Sequence, residues 1–314
     1  MPAVPYGVIT LGFDPTLHAG PFSVRWETLG LAAALFVALL VAAASARAAE
    51  RGHEVRRLRP DDLLFLAVAA VPGAVAGGRI VLVLDYLDYY RTHLAAIADP
   101  AQGSLSLLGA VLGGTLTVAL MCRLLDVPAR RWLDVAAVPL LLAIGLGKLA
   151  YLLGGGGQGV PWDGPWALAF GGPGPWLAAI PSLPAQPSQA YEGIWTLAGA
   201  AVLFVALGFR RGARRSHPGL TYAGALAWWL IGRVLIGFTW ADPAAVAGLN
   251  AEQAGALVAL AVVAPAAAWE LRPRRRSDPG QGEASNDGPA EAGGRAHDAQ
   301  PVPDEELGGP CGPA

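Results

Sequence analysis

The chain has 314 residues, 54% of them hydrophobic and only 15% charged, against roughly a quarter charged in an ordinary soluble domain. With 22 Lys and Arg against 24 Asp and Glu, the net charge of -2 offers no general basicity for nucleic acid. These figures exclude a typical soluble enzyme and a nucleic-acid binder, and the two cysteines, Cys122 and Cys311, match no zinc or redox spacing.

A bilayer-spanning helix needs about 20 predominantly apolar residues. Residues 1–28 read as an extracytoplasmic lead-in, and the first qualifying stretch is 29–46. Its alanine-rich end runs straight into a basic loop, so it reads as a retained helix rather than a cleaved signal. The further spans are 63–84, 105–125, 133–153, 191–209, 219–239 and 253–271, giving an all-α polytopic membrane protein with seven transmembrane helices. Residues 272–314 contain only Val302 and Leu307 among the large aliphatics and read as a disordered tail.

Loop charges set the orientation. Arg47, Arg51, Arg56, Arg57 and Arg59 follow the first span, and Arg123, Arg130 and Arg131 the third. Arg210, Arg211, Arg214 and Arg215 follow the fifth, and Arg272, Arg274, Arg275 and Arg276 the seventh. The alternate connections hold only Arg91. The amino terminus is therefore expected outside and the carboxyl terminus in the cytoplasm, as a multi-pass protein of the bacterial cytoplasmic membrane. The outer loop 154–190 carries four consecutive glycines with Trp162, Trp166 and Trp176, a composition suited to the headgroup layer.

A charge inside the bilayer costs about 2.5–3.5 kcal/mol on insertion scales and calls for a partner or a purpose. Arg79 sits five residues before the end of the second span, Lys148 five before the end of the fourth and Arg233 six before the end of the sixth. Those helices run outward, so all three cations lie roughly 7–10 Å below the outer surface at about 1.5 Å per residue. Glu192 opens the fifth span at the same level. One reading is snorkelling to lipid phosphates; the other is a pocket, open to the outer leaflet, that holds an anionic phosphate. Glu192 is either a base or the partner of Arg233 or Arg79 that holds helices together. Ser188 reads as an N-cap, Tyr191 and Trp195 as interface anchors, and Cys122 as a small packing residue. His18 and His93 lie outside the spans and suggest no metal site, and no cofactor is expected.

Several of these landmarks resemble the bacterial phosphatidylglycerol–prolipoprotein diacylglyceryl transferases. They are Phe13-Asp14-Pro15, the run Gly20-Pro21-Phe22-Ser23-Val24-Arg25-Trp26, Gly77-Gly78-Arg79-Ile80, and Leu183-Pro184-Ala185-Gln186-Pro187-Ser188-Gln189-Ala190-Tyr191-Glu192. Gly232-Arg233-Val234 and the apolar run after Gln253 complete the set. The resemblance implies transfer of a diacylglyceryl group from phosphatidylglycerol to the thiol of a lipobox cysteine, with glycerol phosphate released. It implies phosphatidylglycerol and a prolipoprotein lipobox peptide as partners. It also implies that Glu192 and Arg233 act in catalysis, and that Arg79, Lys148, Tyr191, Gln186, Ser188 and Gln189 bind substrate.

The chain departs from the family's pattern at defined places. Leu108 stands where the family has the histidine of Ser-Phe-His-Gly-Gly, and Lys148 replaces an arginine. Tyr151, Gly154 and Gly156 fall on its Asn and Glu positions, Glu27 on a tyrosine, Gln186 on a histidine, and Gly237 and Trp240 on an acid and a second arginine. Most proton-transfer groups are thereby replaced. The alternative is a relative that binds anionic lipid or a lipoprotein precursor without turnover. A seven-helix transporter fits less well, because no span is broken at mid-membrane.

Overall fold

The computed structural model describes residues 7–51, 60–99, 105–210 and 217–271. Its seven long apolar helices are α1 (Trp26–Arg51), α2 (Pro60–Asp85), α4 (Leu107–Leu124), α5 (Ala129–Leu152), α6 (Ser188–Arg210), α7 (Leu220–Ile236) and α8 (Ala251–Leu271). Each overlaps its predicted span, with ends displaced by a few residues. A short helix α3 (Leu87–Thr92) and a 3-10 turn (Leu94–Ile97) follow α2. The tail 272–314 lies outside the described residues, as do 52–59 in the first basic loop and 211–216 in the third.

Large aliphatic and aromatic side chains such as Phe36, Leu40, Val68, Leu116 and Phe204 face outward. That is the arrangement required of helices whose solvent is hydrocarbon. The helix contacts are made by small residues instead. On α2 and α4 the backbones touch: a Cβ on Gly77 would come 2.3 Å from the Gly109 carbonyl oxygen, and one on Gly113 would come 2.2 Å from that of Gly73. Between α6 and α7, Trp195 and Trp228 stack at 4.8 Å. Each indole N–H donates to the other's backbone carbonyl at 2.9 Å, so Trp195 is a clamp between helices rather than an interface anchor. Asp134 on α5 accepts from the backbone amides of Gly219 and Tyr222 at 2.6 and 2.9 Å, a carboxylate at the positive end of α7. Cys122 packs with Ala46, Leu66 and Trp132.

One end of the bundle is capped by short β-structure. Strand β1 (Ile9–Leu11) pairs in parallel with β4 (Leu168–Phe170), β2 (Thr16–Ala19) forms a hairpin with β3 (Phe22–Arg25), and β5 (Ala244–Val246) pairs with β6 (Leu249–Asn250). The 154–190 loop therefore folds with the amino-terminal segment. Trp176 packs edge-on to Phe13 at 5.2 Å and against Phe170 at 4.8 Å. Helix α1 runs along α5 and α2 along α4, while α1 and α2 scarcely meet. The space left between the two pairs holds the site.

Candidate functional site

A cavity of about 1560 Å³ occupies that space. Along its length it is lined by apolar side chains, among them Leu35 and Leu39 of α1, Leu63 and Leu66 of α2, Val118 of α4 and Leu140 of α5. Trp132 and Lys148 both line it and lie 16 residues apart on α5, about 24 Å at the helical rise. At the capped end the lining turns polar, with Glu27, Lys148, Tyr151, Arg233, Trp240 and Glu252. The cavity thus has the two-ended character of a lipid: a long apolar slot and a charged head.

The charged head is an ordered chain of ion pairs. Glu192, near the start of α6, is 1% exposed. Both its carboxylate oxygens accept from an Arg233 terminal nitrogen at 2.9 Å, and Oε2 also meets Lys148 Nζ at 2.9 Å. The other terminal nitrogen of Arg233 donates to Glu252 Oε2 at 2.7 Å. Ser106 Oγ donates to the remaining Glu252 oxygen at 2.7 Å while accepting from the Gly109 amide at 3.2 Å as the N-cap of α4. Lys148 Nζ also lies 4.7 Å from the Trp240 ring centroid, a cation–π distance. Buried charges require such compensation, because desolvating either partner alone is expensive. Arg233 Nε is buried with no hydrogen-bond acceptor among the described residues.

Local sequence explains how Glu252 reaches this place. Asn250 accepts from the Gln253 amide at 2.8 Å, and Gln253 accepts from the Asn250 amide at 2.9 Å. This reciprocal capping box starts α8 and fixes Glu252 in its first turn. Gln253 Nε2 also donates to the Val234 carbonyl at 2.9 Å, tying α8 to the end of α7. Asp242, in the connection between those helices, lines the cavity mouth. Desolvation there raises its carboxyl above the usual range; Arg233 pulls the other way and Glu252 adds to the rise.

The predicted site residues divide sharply. Lys148, Arg233 and Glu192 come together, and Glu192 pairs with Lys148 and Arg233, not with Arg79. Lys148 and Arg233 face Glu192 and Glu252 in a charge-balanced network. Arg79 does not line the cavity. Its Nε donates to the Ile97 carbonyl at 2.7 Å, and a terminal nitrogen donates to the carbonyls of Ala96 and Asp99, so it clamps the α3 corner. Ser188 is not an N-cap by side chain: its hydroxyl donates to the Thr239 carbonyl at 2.7 Å and accepts from the Thr239 hydroxyl at 2.8 Å. Gln189 donates to the carbonyls of Gly156 and Gly157. Gly157 has φ +65, and a Cβ there would come 2.5 Å from the Trp240 ring. Tyr191 accepts from Trp166 Nε1 at 2.8 Å. Gln186 joins the cap through its backbone amide, 3.0 Å from the Val160 carbonyl. None of these four lines the cavity; Ser188, Gln189, Tyr191 and Gln186 brace the cap over it.

Sequence reasoning missed Glu252 and Ser106 as members of the network. An Asn-x-x-Gln pattern at residues 250–253 was the available signal for Glu252. Among the described residues no group of three or more His, Cys, Asp or Glu is arranged to hold a metal.

Fold and site together define a polytopic α-helical membrane protein built around an amphipathic cavity with a buried ion-pair network at one end. Its sequence matches the family described as prolipoprotein diacylglyceryl transferase over residues 15–269. The chain belongs to that family. It is 30% identical over 251 residues to the phosphatidylglycerol–prolipoprotein diacylglyceryl transferase of Synechococcus elongatus, covering 79% of this chain and 84% of that protein. It is 29% identical over 284 residues to the one of Nostoc sp., covering 88% of this chain and 96% of that protein.

Proposed function

We propose that this protein transfers a diacylglyceryl group from phosphatidylglycerol to the cysteine thiol of a prolipoprotein, in the cytoplasmic membrane of a bacterium. The observation that carries the reading is the amphipathic cavity, whose apolar slot suits acyl chains and whose polar end presents Lys148 and Arg233. The arginine-rich loops support a capped end facing outward and a cytoplasmic tail at 272–314.

In this reading the headgroup phosphate enters beside Lys148 and Arg233, taking the Arg233 Nε–H that has no acceptor. The cations stabilise charge on the departing phosphate. Glu192 holds them in place; with both oxygens engaged it is a positioning residue and not the base. Glu252, 19% exposed in its side chain, is the member of the network that yields to the incoming phosphate, since binding an anion to a neutral network requires one carboxylate to withdraw. Arg79, Gln186, Ser188, Gln189 and Tyr191 keep the frame.

The test is transfer itself. Membranes containing the full chain, given phosphatidylglycerol and a lipobox peptide, should add a diacylglyceryl mass to the peptide cysteine, and the gene should rescue a bacterium depleted of its own transferase. Saturable lipid binding with no product above empty-vector membranes would sink the proposal in favour of a binding protein.

A further inference from the structure

The cavity contains a carboxylate that the network leaves out. Glu27, in the first turn of α1, lines the cavity and is 8% exposed, yet its Oε2 has no hydrogen-bond donor among the described residues. Arg25 Nε forms a loose ion pair with it at 3.8 Å, beyond hydrogen-bonding distance, and an Arg25 terminal nitrogen is directed to the Gly154 carbonyl at 3.3 Å. Space for Oε2 exists because residue 154 is glycine: a Cβ there would come 2.1 Å from it. A buried polar atom without a hydrogen bond calls for an explanation, and one lining a cavity points to a ligand.

We infer that Glu27 is the base that takes the proton of the attacking thiol, an inference that rests on the transfer proposed above. The thiol proton passes to the Glu27 carboxylate and the sulfur forms a bond to the glyceryl carbon. That carbon's bond to the phosphate ester oxygen breaks, its electron pair staying on the oxygen, and glycerol phosphate leaves against Lys148 and Arg233. Glu27 then gives its proton to water.

Displacement at a saturated carbon is in line, so the base and the cations that receive the leaving group must stand on opposite sides of it. Glu27 comes from the α1 wall, Lys148 and Arg233 from α5 and α7. Gly154, which touches Glu27, lies just past the end of α5, six residues after Lys148. The other cavity-end carboxylates are placed wrongly for this task. Glu192 and Glu252 have their oxygens engaged, and Asp85 and Asp242 lie within electrostatic reach of Glu252 on the leaving-group side. The ionisable groups facing Glu27 are Arg25 from the segment before α1 and Tyr151 from α5. Lys148 lies a turn further along α5, with Arg233, Asp85, Tyr86, Asp242 and Glu252 on the remaining walls.

The experiment uses the full chain in phosphatidylglycerol vesicles with two lipobox peptides, one carrying cysteine and one selenocysteine, which is already ionised at neutral pH. Glu27→Gln should slow transfer to the cysteine peptide by about a hundredfold or more, with a rate that climbs with pH toward the free thiol value near about 8.5. Transfer to the selenocysteine peptide should stay within a few-fold of wild type. Equal loss with both peptides, not reversed by Glu27→His, would assign Glu27 a structural role and overturn the inference. An unchanged rate with the cysteine peptide would overturn it while leaving the transfer reading intact, whereas a wild-type chain inactive on both peptides would overturn the transfer reading first.

Discussion

Arg79 and Arg233 are the same residue type, each preceded by glycine and each five or six residues from the end of its expected span, and they do different work. Arg79 closes a corner: its guanidinium binds backbone carbonyls at Ala96, Ile97 and Asp99, and its Cζ lies 5.6 Å from the Tyr90 ring centroid. Arg233 binds carboxylates on two other helices and borders the cavity. The difference shows that the cost of a transmembrane arginine is met in two ways. Carbonyls following α3 tie one arginine to a corner of the fold, and carboxylates from two other helices give the other a charge system that a phosphate can enter.

Breaking each arm of that comparison gives graded outcomes. Arg233→Ala should lower transfer on the order of 10²–10³-fold and cost about 3–5 kcal/mol of stability, since Glu192 and Glu252 lose their shared partner. A transfer assay and thermal unfolding in detergent check both. Lys148→Ala should lower transfer about 10- to 100-fold, as expected from loss of a hydrogen bond to a charged group worth about 1.5–3 kcal/mol, with Lys148→Arg retaining most of it. Arg79→Ala should leave transfer within a few-fold while speeding amide hydrogen exchange across residues 87–99. Ser188→Ala, which removes the link to Thr239, should cost about 1 kcal/mol with no change in the apparent KM for lipid.

The smallest effect is one of pH. The Asp242 carboxyl is raised in the folded protein, chiefly by desolvation, so the folded state holds its proton more tightly than the unfolded chain does. Stability from this group is gained as pH falls through the raised value and is lost as pH rises. Asp242→Asn should therefore raise the unfolding midpoint slightly at pH 8 and leave it unchanged well below the carboxyl's titration.

The helices were legible because twenty apolar residues in a row have few other fates. The pairing of Lys148, Arg233 and Glu192 was half legible: counting residues gives depth along the membrane but not azimuth around a helix. Arg79 shares the depth and faces away from the site for that reason. Glu252 was hidden because an acid in a first helical turn is ordinary, and only the capping box and the approach of α8 to α7 turn it toward Arg233. Gly77 and Gly78 are legible beside Arg79, but not the packing of Gly77 against Gly109 and Gly113 of α4. The β-structure of the cap rests on strands of two to four residues, too short to leave a period in the sequence. Leu108, read as a lost histidine, proves to be buried at 3% exposure with a methyl against Gly255, so nothing polar has been left behind at that position.

The central claim is that the Lys148–Glu192–Arg233–Glu252 network, and not the Arg79 corner, handles the lipid headgroup. The most direct measurement is transfer from phosphatidylglycerol vesicles to a lipobox peptide by purified wild-type, Arg233→Ala and Arg79→Ala proteins, each verified as folded. The account predicts robust product from wild type and Arg79→Ala and almost none from Arg233→Ala. Equal losses in the two variants, or a greater loss from Arg79→Ala, would contradict it.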